Sequence, residues 1–207
     1  SEKVVLNDKY LPGINQELVA IMLERSRCNE MPFSEVRSES ARLLPEVTPN
    51  AVEHRQTIRL MGLESSVYAR SYKLLREDTQ RFLSEEKRQD LLPYWMVRYW
   101  DAWSLYHQEE RKAACEQFEQ IMNEYKGKGY RDFHPAVMAA QKLVDTLLLL
   151  NETERAATVM EEMRNRWPEV FSGCSRTENV YQDFMDIQKT LKERRYIAPE
   201  QRKGGVL

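Results

Sequence analysis

At 207 residues the chain has length for one compact domain or for about four helical hairpins. Seven Gly, eight Pro and 31% charged residues argue against a loop-rich or all-β fold and for long solvated helices. Lys plus Arg total 31 against 33 Asp plus Glu, a formal charge of −2, so no global field draws a phosphate backbone and nucleic acid is not the default partner.

Residues 1–13 close on Leu11-Pro12-Gly13 and read as an extended arm. Ile14, Leu18, Ile21 and Met22 then mark a helix that fades near Cys28, and Ser34 or Glu35 opens a short second helix ending near Leu44-Pro45. Asn50 caps a helix that the sequence breaks at Gly62 and the polar Glu64-Ser65-Ser66. Tyr68, Tyr72, Leu75, Thr79, Phe82 and Leu83 keep helical spacing in the next. Asp90 is the expected cap of a helix over 91–107, with Pro93 in its first turn, where a missing N–H costs little. Tyr94, Trp95, Tyr99, Trp100, Trp103 and Tyr106 cover more of this helix than one amphipathic stripe needs, which predicts burial on two sides. A helix over 110–125, the loop KGKGYR at 126–131, a helix from Asp132 and Pro135 through Leu150, and another ending at Pro168 complete the strongly patterned part. A last helix near 176–194 carries Val180, Phe184, Ile187 and Leu191, and 196–207 reads as a flexible tail. The fold expected is all-α: stacked antiparallel hairpins of eight or nine helices forming a single domain over 14–195.

Residues 114–125 (ACEQFEQIMNEY) match residues 156–167 (AATVMEEMRNRW) at a constant offset, 156 − 114 = 42. Ala114 meets Ala156, Phe118 meets Met160, Ile121 meets Met163, and Tyr125 meets Trp167. A helix face written twice points to hairpins that bury their apolar faces by stacking on neighbours.

The unit 138–164 resembles the pentatricopeptide repeat, a relative of the tetratricopeptide repeat: Leu143, Val144 and Leu147 stand at the apolar positions of its first helix, Ala156, Met160 and Met163 at those of its second. In the preceding unit Ala102, Leu105, Ala114, Phe118 and Ile121 match, whereas Asp101 occupies a position where the pattern expects an apolar residue. The offset also exceeds the usual spacing of about 35 residues, an excess the KGKGYR loop could hold. The clearest units are 92–125 and 133–167. Many pentatricopeptide proteins bind single-stranded RNA through polar side chains early in the first helix. Here those positions hold Tyr99 and Trp100, then Gln141 and Lys142, so the resemblance implies the protein-binding use of the scaffold ahead of RNA binding. It further implies an accessory subunit of a mitochondrial assembly facing the matrix. The small pentatricopeptide-like subunit on the F1 head of euglenozoan ATP synthase and the kinetoplastid-type mitoribosomal proteins are the comparable cases.

Motifs for chemistry do not emerge. His54, His107 and His134 fall outside any H-E-x-x-H or Cys-paired spacing, Lys126-Gly127-Lys128-Gly129 has no preceding strand, and acidic neighbours such as Glu161-Glu162 diverge around a helix. Cys28, Cys115 and Cys174 form neither a C-x-x-C pair nor an even set, which fits a reducing compartment. The longest obvious apolar run, 147–150, is far short of a membrane span. The first residues lack the marks of a signal or transit peptide, and a start at Ser fits a processed chain as well as an arbitrary boundary. The basic run Lys189, Lys192, Arg194, Arg195 reads as a favourable helix C-terminus. The reading is therefore a non-catalytic subunit that docks on protein, with no cofactor, metal or small-molecule substrate. Tyr99, Trp100 and Trp103 are either inter-helix core or anchors for the partner.

Overall fold

The computed structural model describes residues 11–128, 134–168 and Lys189. The first ten residues, the end of the KGKGYR loop, the apolar set Val180, Phe184, Ile187 and Leu191, Cys174 and the tail lie outside the described residues. Among those described there are eight α-helices and no strand: α1 (Leu11–Arg27), α2 (Phe33–Leu43), α3 (Val52–Tyr68), α4 (Tyr72–Glu85), α5 (Leu92–His107), α6 (Arg111–Glu124), α7 (Pro135–Leu149) and α8 (Thr153–Arg166). The architecture is all-α.

Three of the expected boundaries move. Leu11-Pro12-Gly13 belongs to α1 and not to an arm, because Pro is tolerated in a first helical turn. Gly62 does not end its helix. It lies inside α3, where a Cβ would come 2.6 Å from the Ser40 Oγ of α2 and 2.9 Å from its Cβ, so glycine lets two helix backbones approach. Ser65 and Ser66, read as a turn, are buried helical residues, and the Ser65 hydroxyl donates back to the Gly62 carbonyl at 2.5 Å. Asp90 does not cap α5; its carboxylate is held by Arg88 at 2.6 and 2.7 Å, and Leu91 sits at the cap without a side-chain bond.

Contacts group the chain into two compact units, residues 1–117 and 118–207, with the boundary inside α6. In the first unit α3 packs on α1 and on α5, with α2 against α1 and α3 and α4 against α3 and α5. The odd-numbered helices thus form one layer and the even-numbered helices the other. Val19 and Leu23 of α1, Val36 and Leu43 of α2, and Ile58 and Met61 of α3 share one core. In the second unit α7 packs on α8, and Arg166 donates to the Met122 carbonyl at 2.9 Å.

Each helix pair closes in the same way. Asn29, Arg70, Glu109 and Asn151 lie in the turns α1/α2, α3/α4, α5/α6 and α7/α8, with φ of 61°, 55°, 65° and 61°. Each left-handed residue donates its N–H to the carbonyl three residues back (Ser26, Val67, Tyr106, Leu148). The next N–H donates five residues back, to Arg25, Ser66, Leu105 and Leu147. This pair of bonds is the Schellman closure of a helix C-terminus. The spacings are 70 − 29 = 41, 109 − 70 = 39 and 151 − 109 = 42 residues.

Candidate functional surfaces

The nine residues that define the pentatricopeptide resemblance, Ala114, Phe118, Ile121, Leu143, Val144, Leu147, Ala156, Met160 and Met163, are all buried. Asp101, the departure from the pattern, is 1% exposed. Its carboxylate accepts from the Thr79 hydroxyl at 2.7 Å and the Gln80 amide at 2.9 Å, so it fastens α5 to α4 with polar bonds where an apolar residue would have packed.

Helix α5 buries ten of its sixteen residues, spread around its circumference, because it lies against both α3 and α4. Tyr99 and Trp100 are buried at 4% and 8% exposure, and Trp103 is half-buried. The Trp103 ring lies 5.9 Å from Trp100, 6.1 Å from Tyr99 and 4.7 Å from His107. Tyr72 of α4 stacks on His107 at 4.2 Å with planes 3° apart. The aromatic set is a continuous ladder of rings along α5, joined to α4 at its C-terminal end.

Two carboxylates carry the electrostatics. Glu86 follows α4 and is 4% exposed; Arg55 and Arg59 of α3 bind its two oxygens at 2.7 to 3.3 Å. Burial alone would raise this carboxyl, but the two guanidiniums outweigh it and hold it below the usual range. Glu64, largely buried on α3, goes the other way: burial pushes it up to about 7, against the pull of the Trp100 indole and the Arg27 guanidinium. Both lie in the first unit.

A groove of about 450 Å³ runs between α2, α3 and α4, lined by Arg37, Arg55, Arg59, Arg81, Asp78 and Phe82 among others. Arg37 grips Asp78 with two 2.8 Å bonds, and Arg59 also reaches Glu85 at 2.7 Å. Three of its four guanidiniums are thus neutralised by carboxylates, so the groove ties three helices together and presents little free charge. His54 donates from Nδ1 to the Gln16 amide oxygen at 2.6 Å, and His134 caps α7 by accepting from the Val137 N–H at 3.4 Å. Among the described residues no cluster of three or more His, Cys, Asp or Glu is placed to hold a metal. Cys28 is an exposed thiol and Cys115 is buried. Among the described residues no helix is long and apolar enough to cross a membrane.

The surface that the sequence reading missed is on α1. Ile14, Leu18 and Ile21 are 45%, 39% and 58% exposed, while Val19 and Leu23 of the same helix are buried. The signal was present: six large apolar residues between positions 14 and 23 exceed what one buried stripe needs. No known protein family, curated protein or solved structure matches the chain.

Proposed function

We propose that the protein is a non-catalytic helical-repeat subunit that docks on a larger protein assembly. The observation that carries this reading is the recurrence, every 39 to 42 residues, of one turn with one hydrogen-bond pattern, each closing one helix and leading into the next. Such units bury their faces by stacking, and the surface they build is used for binding extended or curved partners. The layering of α1, α3 and α5 in the first unit agrees with it. The pentatricopeptide resemblance of 92–167 adds a mitochondrial setting, and among assemblies the F1 head of ATP synthase is the first to try. Shape-complementary docking, with apolar side chains inside a polar rim, is the mechanism.

The test is purification of the tagged chain from its own cells under native conditions with nuclease present. Co-migration at constant stoichiometry with a defined set of proteins, the F1 subunits in the favoured case, is expected. A chain that runs alone, or one whose partners disappear with RNA digestion, overturns it.

A further inference from the structure

From the α1 surface we infer a docking site for a basic amphipathic helix of a protein partner, an inference that rests on the docking function proposed above and names its surface. Ile14, Leu18 and Ile21 succeed one another by four and three residues, and they are three of the four large exposed apolar side chains among the described residues. Spacing of three and four is the period of a coiled-coil seam, in which one helix presents a stripe that a second helix covers. Val19 and Leu23 point into the core on the opposite side, so the exposed stripe is surplus to what folding uses.

Charge selects the occupant. One edge of the stripe carries Glu17 and Glu24, seven residues apart and both exposed. On the other edge Met22 borders a shallow groove of about 330 Å³ toward α2, whose rim includes Glu35 and Glu39. The cations nearby are engaged, Arg25 with Glu30, Arg27 with Glu24, and Arg42 with Glu39 and Glu46, so Glu24 and Glu39 are spent on them and Glu17 and Glu35 carry the acidic charge of the two edges. Acidic flanks on both sides of an aliphatic stripe fit a helix whose own stripe is bordered by Lys or Arg. A second copy of α1 fits badly, since an antiparallel pair sets Glu17 of one chain against Glu24 of the other. An anionic lipid surface is repelled by the same residues.

The test uses the full chain and a synthetic helical peptide of about three heptads with Leu at both seam positions and Lys on both flanks, with a Glu-flanked counterpart as control. Binding of the Lys peptide is expected to weaken at least tenfold in the Leu18→Ser/Ile21→Ser variant and in Glu17→Lys/Glu35→Lys, and the Glu peptide to bind at least tenfold more weakly than the Lys peptide. These positions are exposed, so unchanged melting and circular dichroism accompany the loss. Equal binding by all variants, preference for the Glu peptide, or wild-type dimerisation abolished by Leu18→Ser/Ile21→Ser overturns the inference. So does retention of anionic vesicles by the same face. Native purification separates the two readings: a double variant that still co-purifies with the complex sinks the α1 site and leaves the subunit role standing, whereas a wild-type chain found in no complex sinks the role itself.

Discussion

Two glutamates of the first unit titrate with opposite consequences for stability. Glu86 is held below its ordinary value by Arg55 and Arg59, so its stabilisation is present above the unfolded carboxylate range and fades as pH falls through the folded value. Glu86→Gln leaves the Arg55 guanidinium without its charge partner, while Arg59 keeps Glu85, and is expected to cost about 2 kcal/mol at pH 7, read from denaturant midpoints. Glu64 is raised to about 7, so its protonated form favours folding fully below the unfolded carboxylate range, and that contribution is lost as pH rises through about 7. Glu64→Gln keeps a neutral side chain at every pH. The variant is expected to match wild type near pH 4 and to exceed it by about 2 kcal/mol near pH 8; parallel pH profiles for the two proteins would place Glu64 in solvent. Asp101 shows why such residues resist reading from sequence. In isolation it was a blemish in an apolar pattern, because nothing in the local spelling reveals that Thr79 and Gln80, some twenty residues earlier, arrive with their donors aimed at it. Asp101→Leu restores the apolar pattern yet strands those donors, and a loss of about 1 to 3 kcal/mol is expected.

At the scale of the helix the informative positions are turns and close approaches. The helices themselves were legible, since apolar residues at 3.6-residue spacing mark each of the eight, and the matching faces of α6 and α8 were visible as letters. The turns were not. A Schellman closure is signalled in sequence by glycine, and here the left-handed positions hold Asn29, Arg70, Glu109 and Asn151, two of them residues with no preference for positive φ. The recurrence across all four pairs therefore became visible only as backbone geometry. Replacing Arg70 or Glu109 with Gly relieves the left-handed strain, and each is expected to raise stability by about 0.5 to 1 kcal/mol, whereas Ala at either site gives no such gain. Gly62 is the converse error: a glycine read as a helix break is a contact residue. Gly62→Ala drives a methyl group into Ser40, whose hydroxyl is bonded to the Ile58 carbonyl at 2.8 Å, so α2 and α3 must part. A destabilisation of about 1 to 3 kcal/mol is expected, and Ser40→Gly in the same chain should recover part of it, the coupling being measured by a double-mutant cycle.

For the molecule as a whole, charge separates the proposed docking on protein from binding of single-stranded RNA. Binding to single-stranded RNA draws its strength from phosphates neutralised by Lys and Arg, and its salt dependence counts them, with a slope near −0.7 for each. The chain offers 31 such residues against 33 carboxylates, and in the one arginine-rich groove described Arg37, Arg55 and Arg59 are bound by Asp78, Glu85 and Glu86 at hydrogen-bond distance. A guanidinium that must release a carboxylate to take a phosphate gains little. A mixed-sequence RNA of about twenty nucleotides is therefore expected to bind, at physiological salt, no more tightly than about 10 μM, with a slope of log K against log salt shallower than about −1.5, that is, about two phosphates engaged. Fluorescence anisotropy across a salt series reads both numbers. Submicromolar binding with a slope of about −3 or steeper would mean that the basic residues are organised on one face for a polyanion. The repeat would then be a nucleic-acid scaffold, and the acidic flanks of α1 would be an isolated feature instead of part of a protein-binding surface.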